Sequence, residues 1–569
     1  MNKEMPFFCR IRVLFALVVA LSLPSFAQDH HSWSKNLNIY EVNTRQYTAS
    51  GTFAEFATHL DRLEDLGVGI VWFMPIHPIG QQNRLGSLGS PYSVRDYMDV
   101  NPEFGTLNEF KALVDSIHAR GMYVILDWVA NHTAWDNPLT VTHPEWYVQD
   151  GGGNFTPPPG TNWSDVIQLD YDQQGLRDYM VQAMTFWITE ANVDGFRCDA
   201  VSFMPWDFWF TAIPQLKSVK PELFMLAEDD RPIYQTLGFD ACYSWGMHAW
   251  GDGVLDRIYE RTNNAHNLHH YMEDELRTFL PNHYRMYFTS NHDENAWYGT
   301  VFEQFPNAAE IYAVVTATIG GMQLIYGGQE AGLDHRLAFF DKDQIIWRSH
   351  PFAEVYRTLL HLKRRNRALW NGTDGGTYQR VTTSNDDQFM AFVREKEEDR
   401  VFAVFNLSPG ISGATLTDSL HWGTYRDVFS GDTLSFSGNS DLLLNGWEYR
   451  LYEKISLVSG IGDGPTVASF NLSQNYPNPF NPETQIRYRL SESGSVSLIV
   501  YNSLGQTVRV LAEGHQGPGD YRVRWDGRDG AGRVVSSGVY YYRLAVESPD
   551  RKSNAGSTFF QTRKMLLLR

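Results

Sequence analysis

Cysteine is almost absent from this chain of 569 residues; three are present, at positions 9, 198 and 242. No disulfide framework can be built from them. Cys198 and Cys242 lie inside apolar runs and read as buried thiols, because free cysteine packs like a small hydrophobe. Positive charge is also scarce. Lys and Arg total 47 against 66 Asp and Glu, a formal net charge of −19. A nucleic-acid partner needs a basic surface, so this balance argues against one and leaves neutral ligands open. Gly and Pro are not concentrated enough for a collagen-like or low-complexity chain. Only one long apolar run exists, Val13–Leu23, and it falls short of the ~20 residues of a membrane span. Aromatic residues, by contrast, are plentiful at 14 %, with 17 Trp. They supply either a large core or a groove that stacks flat-faced ligands.

Lys3, Arg10 and Arg12 precede the apolar run, and Ser25-Phe26-Ala27 follow it with small residues at a cleavage spacing. Residues 1–27 therefore read as a secretory signal peptide. The mature chain is expected to carry no transmembrane segment.

From Asn38 to about Arg367 short β-rich runs alternate with helical patterns. Ile39–Val42, Ile70–Met74, Met122–Leu126, Leu223–Ala227, Tyr284–Thr289 and Met322–Tyr326 are the apolar runs. Continuous rather than alternating apolar runs indicate strands buried on both faces, hence a parallel sheet. Thr52 with Glu55 and Thr106 with Glu109 form Thr-x-x-Glu capping boxes at helix starts. Phe53, Phe56, Ala57, Leu60 and Leu63 follow the first at helical spacing. The expected fold is a (β/α)8 TIM barrel over residues 28–369, with a small insertion at about 133–174. A C-terminal β-sandwich is expected over 370–455, a Gly- and Ser-rich linker over 456–474, and a further all-β block over 475–569.

Each buried run ends in a polar cluster. The third ends in Asp127 to His132, the short run near Val193–Phe196 in Arg197-Cys198-Asp199, the next in Glu228, and Tyr284–Thr289 in Ser290-Asn291-His292-Asp293. In a βα barrel these strand ends share one rim, where the reactive groups stand. A set of carboxylates there suits a divalent metal or glycosidic bond cleavage, in which one acid protonates and a second attacks. Arg197, two residues before Asp199, favours the second, because it holds a carboxylate ionised. Glu228 follows an apolar strand and faces other acids, which is how a general acid is kept protonated.

These segments resemble the α-amylase family, glycoside hydrolase family 13. Asp127-x-x-x-Asn131-His132 is similar to its first signature, Gly195-Phe196-Arg197-Cys198-Asp199-Ala200 to the second, Glu228 to the third and Asn291-His292-Asp293 to the fourth. Pro91-Tyr92, Asn101 to Thr106, Gln168-Leu169-Asp170 and Ile325-Tyr326-Gly327 match supporting segments. The resemblance spans roughly residues 35–455. It implies a retaining hydrolase of α-1,4-glucans, with Asp199 as nucleophile, Glu228 as acid and base, and Asp293 as transition-state stabiliser. It implies a substrate-binding set of Tyr92, Asp127, His132, Arg197 and His292, in which Arg197 orients Asp199 and Asp127 supports the site. A cyclodextrin or pullulan hydrolase, an α-glucan transglycosylase and an inactive carbohydrate-binding protein are the alternatives. No organic cofactor is implied. Calcium is implied at Asn131 with acids of the 133–174 segment. Against it, Val201-Ser202-Phe203-Met204 stands where many family members carry Lys-His. Trp135, Trp146 and Trp163 of the insertion are equally groove walls or core.

The block Asn475 to Pro482, followed by Thr484-Gln485-Ile486-Arg487-Tyr488 and a basic end, resembles the C-terminal sorting domain of type IX secretion cargo. It implies export through that machinery to the cell surface or the medium. The alternative is a starch-binding β-sandwich that uses Trp525 and Tyr540 to Tyr542.

Overall fold

The computed structural model describes residues 31–455, 471–475, 477–490, 493–502, 506–547 and 558–568. The expected signal peptide, and residues 456–470 of the expected linker, lie outside them. Among the described residues no helix is long and apolar enough to cross a membrane. The chain divides into two compact units, residues 1–422 with 436–451 and residues 423–435 with 452–569.

The first unit is built on a closed barrel of eight parallel strands. The strands are β1 (Ile39–Val42), β2 (Ile70–Phe73), β3 (Tyr123–Trp128), β6 (Gly195–Cys198), β7 (Phe224–Ala227), β8 (Ala241–Tyr243), β9 (Tyr284–Tyr287) and β10 (Met322–Tyr326). A short antiparallel pair, β4 (His132–Ala134) with β5 (Val166–Gln168), anchors the insertion. The six short apolar runs between Ile39 and Tyr326 are six of the barrel strands, and β6 begins at Gly195 rather than Val193. Ile39, Ile70, Trp72, Ile125, Phe224, Leu226, Tyr243, Met286 and Leu324 fill one core cluster, as the layered interior of such a barrel requires.

Gly195 is the tight point between β6 and β7. It lies opposite Phe224 in the register, and a Cβ there would stand 2.0 Å from the Phe224 carbonyl oxygen. Only glycine permits that approach.

Two acids precede strands at the opposite end from the expected rim. Asp194, just before β6, accepts from Lys220 Nζ at 2.7 Å and from the Val124 N–H at 2.8 Å, and pairs with His118 Nε2 at 2.7 Å. Asp240, just before β8, pairs with Lys217 at 3.1 Å and accepts the Met225 N–H at 2.9 Å.

The Thr106–Glu109 capping box is present and opens the helix Leu107–His118. The first box is only half formed. Thr52 accepts the Glu55 N–H, but the Glu55 carboxylate takes the Ser50 N–H instead of reaching back to Thr52. The run expected as one helix is two, Phe53–Ala57 and Leu60–Leu66. After the barrel, Thr377–Arg380, Phe389–Lys396 and Asp399–Asn406 form an antiparallel ladder, and Ser412–Leu416 pairs with Ser440–Leu444.

In the second unit Gly423–Asp427 pairs antiparallel with residues 452–454. Residues 471–567 form a three-stranded and a four-stranded sheet. Their shared core contains Leu472, Phe480, Ile486, Leu498, Trp525, Tyr540, Tyr542 and Leu544. Trp525, Tyr540 and Tyr542 are thus core residues, and only Tyr541 of the aromatic set proposed for starch binding is exposed. Alternation along the strand decides this. Tyr540 and Tyr542 share the buried face and Tyr541 takes the other.

Candidate active site

The C-terminal ends of the barrel strands surround a cavity of about 910 Å³. Tyr92, His132, Asp199, Glu228, His292 and Asp293 all line it. Asp199 follows β6 and Glu228 follows β7, directly after the registered pair Cys198 and Ala227. Their backbones are therefore about one strand spacing apart, ~4.8 Å.

One guanidinium holds the carboxylates together. Arg197 is wholly buried, and its Nη1 lies 3.0 Å from Asp199 Oδ1 and 2.9 Å from Asp127 Oδ1. Its Nη2 lies 2.7 Å from Glu228 Oε1. Glu228 Oε2 accepts the Ala200 N–H at 2.6 Å. Ala200 delivers that N–H from a left-handed backbone, φ +47° and ψ +38°, a region non-glycine residues avoid unless the surroundings impose it.

The electrostatics divide the acids. Burial pushes Asp199 above the usual carboxylate range, and the Arg197 charge pulls it back. Burial pushes Glu228 further, to about 8, with the charges of Asp199 and Asp293 adding to burial and Arg197 opposing it. At neutral pH Glu228 is therefore mostly protonated while Asp199 is mostly ionised. Two carboxyl groups driven apart in this way take the acid and nucleophile roles.

His292 bridges the rest. Its Nδ1 stands 2.5 Å from Glu41 Oε1, its Nε2 2.8 Å from the Tyr92 hydroxyl and 3.4 Å from Asp293 Oδ2. Burial opposes its charge, but Asp293 and Glu41 outweigh burial and raise its pKa to about 9. His132 has no such partners, and burial lowers it to about 4. One histidine is thus a cation at neutral pH and the other a neutral ring. The Tyr92 ring stacks on His292 with centroids 5.3 Å apart and donates its hydroxyl to Asp127 Oδ2 at 3.0 Å.

Two members of the expected substrate-binding set do not reach the cavity. Asp127 and Arg197 have fully buried side chains and lie beneath its floor. Asp127 is occupied by Arg197, by the Tyr92 hydroxyl and by the Trp72 indole N–H at 3.2 Å. Arg197 and Asp199, two residues apart, point to the same side of β6, and Arg197 lies deeper along it, in contact with Asp127, Asp199 and Glu228.

The three insertion tryptophans separate. Trp163 lines the cavity, Trp146 packs on His143 with centroids 3.9 Å apart, and Trp135 donates to the Ser164 carbonyl. The sequence reading missed Glu41, although an acid inside the apolar run Ile39–Val42 was a visible signal. It also missed the aromatic walls Phe203, Trp245, Trp250, Trp297, Tyr298, Phe339 and Phe340. They lie on loops and on the short turns Val201–Phe203 and Glu294–Tyr298, where no periodicity marks them.

The residues expected to hold calcium do not converge. The Asn131 amide contacts His132 Nδ1 at 3.3 Å. Asp136 is paired with Arg95 and the Gln81 N–H, Asp150 with its own turn, and Asp170 with the Asp172 N–H and Gln173. Among the described residues no three His, Cys, Asp or Glu side chains form a metal-sized group. Asp165, in the same segment, is buried with its Oδ2 free of any hydrogen-bond partner, and no chemical step depends on a metal.

Residues 30–165 match the α-amylase catalytic-domain family, and residues 380–451 the α-amylase C-terminal all-β domain. Residues 480–550 match the FlgD Ig-like domain. "Alpha-amylase 3" of Dictyoglomus thermophilum is 25 % identical over 480 residues, covering 71 % of this chain and 91 % of its own. An α-1,4-glucan:maltose-1-phosphate maltosyltransferase of Cereibacter sphaeroides is 27 % identical over 415 residues, covering 65 % and 66 %. Among solved structures, a noncanonic maltogenic α-amylase from Thermotoga neapolitana superposes with a TM-score of 0.67 at 28 % identity, over 74 % of this chain and 100 % of its own. An α-amylase from Lactobacillus plantarum gives 0.66 at 29 %, over 75 % and 100 %. These matches support an α-amylase catalytic domain followed by the α-amylase C-terminal all-β domain.

Proposed function

We propose that this protein is a retaining glycoside hydrolase of α-1,4-linked glucans. The observation that carries the reading is the pair Asp199 and Glu228 on adjacent strand ends, spanned by Arg197, with Glu228 raised to about 8. Ionised Asp199 attacks the anomeric carbon as Glu228 gives its proton to the glycosidic oxygen, and the leaving sugar departs. In the free enzyme both Glu228 oxygens face N–H donors, so donation requires the substrate oxygen to replace one of them. Glu228, now ionised, then takes a proton from water, which attacks the glycosyl–Asp199 ester and frees the sugar with its anomer retained. Asp293 and the His292 cation hold sugar hydroxyls, and His132 and Tyr92 border the same ring. A strand spacing of ~4.8 Å suits the ~5–5.5 Å carboxyl separation of a retaining pair better than the ~6.5–9.5 Å of an inverting one.

The test is product analysis on starch, maltoheptaose and cyclodextrin in parallel, with NMR of the first-formed anomer. An α-anomer is expected, and a β-anomer removes Asp199 from its role. Transglycosylation is the second reading, supported by the maltosyltransferase among the relatives. Accumulation of products longer than the substrate would establish it.

We further propose export. The layout of residues 1–27 and the Asn475 to Pro482 block support secretion through type IX machinery to the surface or medium. A reporter carrying a signal peptide and residues 475–569 should leave a host that has this machinery. The enzyme ending at residue 455 should keep its activity on soluble maltooligosaccharide. A reporter retained in the periplasm removes the localisation.

A further inference from the structure

The loop after β8 carries Trp245 and Trp250, two of the cavity's aromatic walls. Trp250 is 48 % exposed, and its ring lies 4.8 Å from Trp245 between centroids. Its backbone is left-handed, φ +52°. A half-exposed residue with a large side chain does not hold that conformation unaided.

The aid comes from Glu294, which is 1 % exposed. Its Oε1 accepts the Trp250 N–H at 2.7 Å. Its Oε2 has no hydrogen-bond partner and faces His248 Nε2, also without one, at 3.9 Å. His248 is fixed from its other side by Asp256, 2.9 Å from Nδ1. Gly253 closes the loop so tightly that a Cβ there would stand 2.5 Å from the His248 Cα. Glu294 also opens the π-helical turn Glu294–Tyr298, which carries Trp297, and the Trp297 indole donates to Asp293 Oδ1 at 3.1 Å. One buried carboxylate therefore ties the Trp250 wall to the segment that holds Asp293.

Strand order says which wall this is. Asp199 follows β6, Glu228 follows β7, and the Trp250 loop follows β8, neighbours in that order. If Asp199 attacks and Glu228 protonates, the departing sugar lies on the Glu228 side, toward the loop after β8.

We propose that Trp250 stacks on a sugar of the leaving portion of the glucan, and that Glu294 is the residue that positions it. The inference rests on the glucan-cleaving reading of the site. The test compares maltoheptaose with α-maltosyl fluoride, whose fluoride leaving group presents no ring to that wall. Trp250→Ala and Glu294→Ala should each raise KM for maltoheptaose about tenfold, the scale of one lost stacking contact, with kcat held within about threefold. The fluoride substrate should lose at most about threefold in kcat/KM. Glu294→Gln should stay close to wild type, because its amide oxygen still accepts the Trp250 N–H. The double variant should be no worse than Trp250→Ala, as expected of residues acting through one contact. Equal losses on both substrates, an unchanged KM in Glu294→Ala, or additive losses in the double variant would overturn the proposal. If Glu294→Ala does not fold, Trp250→Ala carries the stacking comparison and Glu294→Leu, which also removes the acceptor, carries the positioning one. A wild-type protein that cleaves neither substrate overturns the reading of the site itself, and this inference with it.

Discussion

Strand β6 is flanked by two aspartates five residues apart, and their surroundings oppose each other. Asp194 lies at the end where the Lys220 ammonium, the His118 imidazole and a backbone N–H meet it. Burial alone would raise its pKa, but His118 and Lys220 outweigh burial and leave it lowered. Asp199 lies at the cavity end, shares one guanidinium with Asp127 and Glu228, and remains raised. The same side chain is a fastening at one end and, on the proposed reading, a reagent at the other. The difference lies in how many compensating donors the fold supplies, since burial is common to both. A barrel places stability at one face and chemistry at the other, and here both are read on a single strand.

Matched substitutions break this comparison most sharply. Asp199→Asn and Glu228→Gln should each lower turnover by ~10³-fold or more, because nucleophilic attack and proton donation are separate requirements. Melting temperature should hold, since Asp199→Asn removes a charge that burial disfavours and Glu228→Gln replaces a carboxyl group that is already mostly protonated. A variant keeping a tenth of wild-type turnover would remove that residue from its role.

The pH profile sharpens it next. Glu228 acts as an acid, so kcat/KM should fall about tenfold per pH unit above its value of about 8. The opposite limb appears as Asp199 takes up a proton. Glu228→Gln should abolish the alkaline limb in whatever rate remains.

Asp194→Asn is the counterpart at the other end. It should cost about 1–3 kcal/mol of stability, the scale of removing a charged partner from buried donors, and leave kcat/KM within about twofold. Its folded pKa is lowered, so the stabilisation is present above the unfolded value of ~3.9 and is lost as pH falls through the folded one. The melting difference between wild type and variant should therefore shrink in acid. A large loss of turnover without a loss of stability would show that the two ends are not separable.

The smallest expected effect is that of a chelator. With Asp136, Asp150 and Asp170 paired within the protein, excess EDTA should leave the melting temperature unchanged. A clear fall would show that Asn131 and backbone oxygens hold a cation without those acids.

Much of this was legible in the chain. Short apolar runs gave six strands, because a strand buried on both faces must be apolar throughout. The polar clusters closing them gave Asp199, Glu228 and Asp293. The strand β8 escaped because three residues make no run. The half-formed box at Thr52 escaped because Ser50 competes for Glu55 at close range. Arg197 and Asp127 were found, with Arg197 orienting Asp199 and Asp127 supporting the site, but the motif did not say that both lie too deep to line the cavity. The aromatic walls were illegible. A loop tryptophan over a cavity and one in a core look alike until the chain is folded, as Trp163 and Trp146 show.

At Gly195 the absent side chain acts as a gauge. Any atom added there meets the Phe224 carbonyl and must wedge β6 away from β7, the strands that carry the two reacting carboxyl groups. A gap of about 5 Å forces one carboxylate to attack directly, and a few ångströms more admits a water in its place. On the proposed reading, the anomer released thus depends on a clearance at the far end of the strand, too small for a methyl group.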